Sequence, residues 1–513
     1  MSDILAENKR TSGFFGMVER IGNKIPHTLT LFIYLTICLI ILSILYAVAG
    51  IRVIHPVSGE TIAPINLFSK DGLMLFLTAF TSSFQKFPIL GITITVGLGM
   101  GLCDASGTFS AIIKLLFKRV NNSWLAFSVT FVGVFMCSLD GSVSMIIVPA
   151  LAAAIYKAAG KNPLIGLFCG YAAACSGAAL EFVPAFWQVC LTPMTVKAAQ
   201  LYDPNFTMPL MSDYYAVLFS SSVLVLVTTF VTIKFVAPRF AVYNEADAEE
   251  GFVSAEAELT DTERCAAKKA IMGVAVYFAL IFVACIPASS FFRAPSGSLV
   301  IDAPFMWSME NLLVFFFFIP GYIYAKNTGQ AKTIGEMAEL TAKGAYFILP
   351  VLIIFVAIAL FLAFFQLSNL GPIISIQIAD TLKSLAVPPQ VTVATIFIFV
   401  ALVGVFITSG SSKYIIFAPI FIPLLMQFNI HPAFGQYIMR MADVCGNNIS
   451  PLMAFFPVVV VMAQKYDRKV GVGTMFSAML PYTISYVVIL LTIVLLWMTL
   501  DLPLGLAGGR VWL

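Results

Sequence analysis

Arg440 and Asp443 lie three residues apart in an apolar stretch, a spacing that puts both side chains on one face of a helix. The guanidinium of Arg440 is a planar fork matched to a carboxylate, so a substrate carboxylate is one expected partner. The segment continues as Cys445-Gly-Asn-Asn-Ile-Ser-Pro451. Proline lacks a backbone donor and frees carbonyls one turn upstream. Asp443, the Asn447 side chain and the carbonyls before Pro451 form an oxygen-rich set that suits Na⁺, as in unwound transporter helices. The plainer alternative is an internal Arg440–Asp443 pair that only stabilises the unwound turn. Four further positions carry chemistry. Asp140 lies mid-way along an apolar run. A carboxylate there costs on the order of 3 kcal/mol and needs a cation, a proton or water. Tyr414 can stack on an aromatic ring and donate a hydrogen bond, which suits a substrate contact. Lys413 could pair with Asp140 or Asp443, or serve packing and snorkelling. Glu181, in Ser176-Gly-Ala-Ala-Leu-Glu-Phe-Val-Pro184, is either a second buried carboxylate able to carry a coupling proton or an exposed helix end. Asp104, within Cys103-Asp-Ala-Ser-Gly107, reads as a structural break.

These residues sit in a chain of 513 amino acids, 60% hydrophobic and only 11% charged, with a mean hydropathy of +0.96. Soluble chains carry roughly a quarter charged residues. The deficit and the apolar runs of about 20 residues imply an all-α polytopic membrane protein. A net charge of +3 gives no basis for a nucleic-acid partner. The first run, Leu29 to Val48, is followed by no small-residue cleavage site and reads as a retained helix. The nine Cys are scattered without a CxxC pair, and His27, His55 and His431 lie far apart, so zinc is not expected. No GxSxG or HExxH segment supports an enzyme, and no cofactor is expected beyond a coupling Na⁺ or H⁺.

The elements that must position these residues follow from charge and length. Lys and Arg concentrate before the first run, at 118–119, 157–161, 239–269, 326–343 and 465–469, and thin out near 52–72, 199–213 and 291–304. The positive-inside rule makes the first set cytoplasmic. About nine crossings then fit near 28–50, 85–117, 164–198, 214–236, 270–290, 305–325, 344–366, 433–461 and 472–500, with the N-terminus inside. Two apolar segments, 123–157 and 389–428, are too long for one crossing and must each return to the face they entered. They read as re-entrant hairpins with tips at Leu139-Asp-Gly-Ser142 and Ser409-Gly-Ser-Ser412, where Gly permits a tight turn. The two halves also echo each other about 270 residues apart. Pro149, Gly166 and Gly177 are answered by Pro419, Gly435 and Gly446. Duplicated, interrupted apolar segments of opposite insertion make an inverted-topology repeat, the sequence pointer to a secondary transporter working by alternating access. The organisation expected is one transmembrane transporter domain over 1–513. Within it lie a first hairpin and broken helix at 123–198, a mixed-charge cytoplasmic linker at 239–269, and a second hairpin and broken helix at 389–461. Residues 369–386 read as an interfacial amphipathic stretch.

The segments Val18-Glu-Arg-Ile-Gly-Asn-Lys-Ile-Pro-His27, Ser409-Gly-Ser-Ser-Lys-Tyr-Ile-Ile-Phe-Ala-Pro419 and Arg440-Met-Ala-Asp-Val-Cys-Gly-Asn-Asn-Ile-Ser-Pro451, with Phe456-Pro457 and Ala463-Gln-Lys465, resemble the motifs of the p-aminobenzoyl-glutamate transporter (AbgT) family over nearly the whole chain. The resemblance implies a homodimer of nine-helix protomers with two hairpins, in the bacterial inner membrane. Such proteins take up p-aminobenzoyl-glutamate, a folate catabolite, or export sulfonamide antimetabolites, driven by a cation or proton gradient. It implies functional roles for Asp140, Ser411, Arg440, Asp443 and Pro451. The family usually has Trp where this chain has Tyr414, and a Gly/Ser-rich segment where this chain reads Ala178-Ala-Leu-Glu-Phe182.

Overall fold

The computed structural model describes residues 28–513 except 55–58, 86, 88–89, 118–123, 140, 184–185, 241–258, 300–302, 452, 454 and 507–508. Asp140, the signature at 18–27 and most of the expected linker at 239–269 lie outside the described residues. The regular elements among the described residues are helices apart from one two-stranded ribbon, Val53–Ile54 paired antiparallel with Thr61–Ile62.

The first quarter holds α1 (Thr28–Val48), α2 (Lys70–Gln85), α3 (Leu90–Ala105) and α4 (Thr108–Phe117). Helix α2 was not anticipated from the apolar runs. The span expected at 85–117 is two helices meeting at 66°. The break lies at Gly107, whose φ of +77° only glycine adopts freely. The Ser106 and Thr108 hydroxyls bond to each other across it, 2.6 Å apart. Asp104 is exposed one turn before the bend.

The two halves of the core are built alike. In the first, α5 (Leu125–Leu139) and α6 (Gly141–Ala158) pack on α7 (Pro163–Gly177), which breaks before α8 (Phe186–Ala199). Gly166 faces Ala152 and Tyr156, and Gly170 faces Pro149 and Ala152, so α6 runs antiparallel to α7. Thr130 meets Cys169, Gly133 meets Ala173, and Val134 with Cys137 meets Gly177, so α5 runs parallel to it. Helices α5 and α6 therefore fold back on each other. In the second half, α15 (Pro389–Gly404) and α16 (Gly410–Met426) pack on α17 (Pro432–Asn447), which breaks before α18 (Phe456–Tyr466). Gly435 faces Ile422 and Leu425, whereas Gly446 faces Ala401 and Gly404. The sequence echo is thus an echo in packing. The Gly166–Ala152 approach is answered by Gly435–Ile422, and Gly177–Val134 by Gly446–Gly404. Small residues let such backbones close to contact where no side chain intervenes.

The end of the second helix pair lies beside α14 (Leu370–Ser384) and the C-terminus. The Lys383 ammonium sits over the Phe428 ring at 5.8 Å, and Ile430 bridges Trp512 near the C-terminus. The outer elements are α9 (Tyr214–Val231), α10 (Asp261–Cys285), α11 (Pro304–Asn327), α12 (Ile334–Gly344), α13 (Ile348–Leu367), α14 (Leu370–Ser384) and α19 (Val472–Leu500). Helix α10 exposes Met272, Val276, Leu280, Phe282 and Val283, an apolar face fit for lipid. Helix α13 turns 63° into α14 through Asn369 at φ +59°. Leu370, Ile373, Ile376 and Ala379 of α14 are buried, so the expected interfacial stretch is packed against protein on one face. Among the described residues, three helices are each long and apolar enough to cross a bilayer, or five if each bent pair counts once. Single unbroken helices do not make up the nine crossings expected, because breaks and short helices divide the apolar runs.

Candidate functional site

Two charged clusters occupy the interior where the broken turns meet the second hairpin. The first is centred on Arg440, at the middle of α17, with its side chain 1% exposed. Its Nε and Nη2 donate to the Ala179 carbonyl at 3.3 and 3.1 Å. Its Nη1 donates to Gln188 Oε1. Its ion partners are Glu181 at 3.5 Å and Asp213 at 3.4 Å, both fully buried. Arg440 therefore does not form the internal pair with Asp443 that the spacing allowed. Glu181 is not an exposed helix end.

The local chain explains the convergence. Helix α7 stops at Gly177, and the following turn directs the Ala179 carbonyl and Glu181 inward. Ser221 of α9 donates to the Glu181 carbonyl at 3.3 Å, and the Tyr214 hydroxyl donates to the Phe182 carbonyl at 2.7 Å. The Gln188 backbone N–H donates back to Glu181 Oε1 at 3.2 Å. Asp213 flanks the start of α9 and accepts from Gln188 Nε2 and, at 3.1 Å, from Gln436 Nε2. Gln436 Oε1 accepts from the Thr195 hydroxyl, which also bonds the Tyr414 hydroxyl. One buried network thus links α8, α9, α16 and α17. With one guanidinium and two carboxylates, its formal charge is −1 when both acids are ionised.

The second cluster joins α16 to α17. Lys413, 2% exposed, forms an ion pair with Asp443. Its Nζ donates to Asn447 Oδ1 at 3.3 Å. Asn447 Nδ2 donates to the other oxygen of Asp443 at 3.3 Å. The side-chain oxygens expected to hold Na⁺ already face an ammonium, so this arrangement does not fit a free cation. Pro451 lies four residues after Asn447, beyond the end of α17, as expected for a break. The neighbouring Asn448 is fully buried. Neither atom of its carboxamide has a hydrogen-bond partner among the described residues. A buried amide in that state needs a partner of another kind, an ordered water, an ion or a ligand's polar atom.

Ser411 is not in either cluster. Its hydroxyl lies 3.3 Å from that of Ser409, the N-cap of α16, whose side chain also accepts from the Ser412 amide at 3.3 Å. Tyr414 does reach the site and lines a tight cleft of about 20 Å³ with Lys413, Phe417, Ala178, Arg440 and Asp443. The cleft thus offers two aromatic rings beside charges of both signs, with room for about one water as it stands, so a ligand would enter only as the helices part.

Asp213, Gln188, Gln436 and Thr195 were missed in the sequence. Asp213 lies in a stretch that reads as an outer loop. The signal available was a glutamine inside each broken segment, Phe186-Trp-Gln188 and Phe434-Gly-Gln436. An amide among apolar residues needs partners, and both side-chain amides find one in Asp213.

The model of the AbgT putative transporter family matches residues 13–511. The p-aminobenzoyl-glutamate transport protein of Escherichia coli (strain K12) is 28% identical over 504 residues, covering 98% of this chain and 97% of that protein. The solved structure of the YdaH transporter of Alcanivorax borkumensis, described as having an unusual topology, superposes with a TM-score of 0.87. It is 27% identical over 94% of this chain and all of that one. MtrF of Neisseria gonorrhoeae, described with a class of antimetabolite efflux pumps, gives 0.87 at 28% identity, over 97% of this chain and all of that one.

Proposed function

We propose, from the premise that this chain belongs to the AbgT putative transporter family, that it is an ion-coupled secondary transporter of a small aromatic acid resembling p-aminobenzoyl-glutamate. It is an integral membrane transporter; the substrate and coupling are our reading. The observation that carries it is the fully buried Arg440–Glu181–Asp213 cluster beside a cleft lined by Tyr414 and Phe417. The surplus carboxylate in this dry interior would take up one proton when a second anion arrives, because a further buried negative charge is costly. Protonation of Glu181 would release one edge of the guanidinium to a substrate carboxylate, whose charge then replaces the one lost. The aromatic ring would rest on Tyr414 and Phe417. Proton and substrate would therefore enter or leave together.

The folded-back pairs α5/α6 and α15/α16 would act as re-entrant hairpins inserted from opposite faces, and the site would be exposed to each side in turn. We place the protein in the bacterial inner membrane, N-terminus cytoplasmic, as a homodimer. The similarity to MtrF favours a second reading, in which the same site exports sulfonamide-type antimetabolites. Purified protein in proteoliposomes, given labelled p-aminobenzoyl-glutamate or a labelled sulfonamide under an imposed proton gradient, tests both. Accumulation above equilibrium that a protonophore collapses is expected. Passive equilibration of either compound, indifferent to the gradient, would point to a facilitator and refute the reading.

A further inference from the structure

The Asp443–Asn447 niche looks, by residue type, like a site for a free monovalent cation, yet a charged group of the chain itself fills it. The Lys413 ammonium is ion-paired with Asp443 and bonds Asn447 Oδ1 at 3.3 Å. The third wall is the backbone of α15. A Cβ on Gly404 would lie 3.0 Å from Nζ, so the ammonium rests against a position that has no side chain. Lys413 is 2% exposed and its lysine stem is enclosed, so the head group cannot retreat to bulk water without moving α16. A Na⁺ sharing these oxygens would sit within a few ångströms of a second positive charge in a largely dry interior.

The other half of the chain carries none of this. The positions 269 residues before Arg440, Asp443 and Asn447 are Tyr171, Ala174 and Ala178. The duplicated scaffold packs alike in both halves, but only the second carries this charged pair, so the pair is not a requirement of the fold.

We infer that Lys413 is a built-in cation that takes the place of Na⁺ between Asp443 and Asn447, so that the protein binds no Na⁺ there and is Na⁺-independent. The inference deepens the reading of the protein as an ion-coupled transporter, since it leaves the Glu181–Asp213–Arg440 cluster to carry the coupling charge. Its own ground is the geometry of Lys413.

The test uses the purified full-length protein without substrate, so its outcome is separable from that of the transport assay. Thermal unfolding is followed in NaCl and in choline chloride at equal ionic strength. The wild type and Lys413→Arg are expected to show no Na⁺-specific shift. Lys413→Ala, which empties the niche and leaves Asp443 without its partner, is expected to gain a saturable Na⁺-specific stabilisation of several degrees. That gain should vanish in Lys413→Ala/Asp443→Asn. A saturable Na⁺-specific shift in the wild type that Asp443→Asn abolishes would overturn the inference, as would a folded Lys413→Ala protein that ignores Na⁺. Truncating a buried lysine can prevent folding; the wild-type and Lys413→Arg measurements then decide, with a Na⁺-specific shift in either counting against it.

Discussion

The charge balance around Arg440 predicts that its partners are not equivalent. Arg440 meets Glu181 at 3.5 Å and Asp213 at 3.4 Å, with all three side chains at or below 1% exposure. At an effective dielectric of about 20, opposite charges this close attract by about 5 kcal/mol, against which desolvation is set. Removing the one cation from a buried ionic group costs about 3–5 kcal/mol net. Arg440→Gln, which strands two carboxylates, is therefore expected at or above that range. Asp213→Asn places an amide nitrogen where the acid accepts from Gln188, Gln436 and Arg440, and should cost about 2–4 kcal/mol. Glu181→Gln is different. It keeps an oxygen for the Gln188 backbone N–H, which lies 3.2 Å from Glu181 Oε1. It also leaves a neutral Arg440–Asp213 pair and removes the repulsion between the two acids, so its cost should stay below about 1 kcal/mol. Denaturant titration of the three variants in mixed micelles gives the order directly. Equal losses for Glu181→Gln and Arg440→Gln would refute the reasoning, because they would mean that Glu181 is an ordinary partner rather than the surplus charge.

Asn448→Ala removes a buried carboxamide that bonds to nothing described. It should leave stability unchanged or higher by up to about 1 kcal/mol, while lowering substrate uptake at least roughly tenfold if that amide meets the ligand; lost stability with normal uptake would contradict the assignment. Gly446→Ala forces a Cβ to 2.7 Å from backbone atoms of Ala401 and Gly404. A loss of about 1–3 kcal/mol is expected in the same titration, whereas Gly473→Ala, with nothing within 4 Å, should be close to neutral. On the short polar helix α12, Glu336 is held below the usual carboxylate range by the Lys332 and Thr333 amides it caps. Its contribution is therefore full above the unfolded carboxylate value of about 4.3 and is lost as pH falls through the lower folded value. Amide exchange over 332–337 should be faster in Glu336→Gln than in the wild type at pH 7, and the difference should shrink as pH falls below about 4.3.

Much of the frame was readable because periodic small residues carry it. Gly166 and Gly435 stand at matching places in the repeat, and each lets a helix pair close. Arg440, Glu181 and Tyr414 stood out as polar groups in apolar runs, and the structure brings them together. What could not be read was partner choice. The spacing of Arg440 and Asp443 suggested a local pair, but contacts across α7, α8 and α9 outcompete it, and Asp443 turns to Lys413 instead. Asp213 was invisible for a related reason. It looks like a loop residue, and only the fold carries the start of α9 against α17. Helix α2 was missed because Lys70 and Asp71 place its start in what reads as an outer loop. Asp140 lies outside the described residues, so its expected role rests on the sequence.

The most direct measurement is proton exchange on substrate binding. Purified protein in weak buffer is mixed with p-aminobenzoyl-glutamate and the pH change is recorded, for wild type and Glu181→Gln. About one proton taken up per substrate bound by the wild type, and none by Glu181→Gln, is the result that follows from a surplus buried acid yielding its place to a substrate carboxylate. Substrate binding without proton movement in the wild type, or the same uptake in Glu181→Gln, would contradict it.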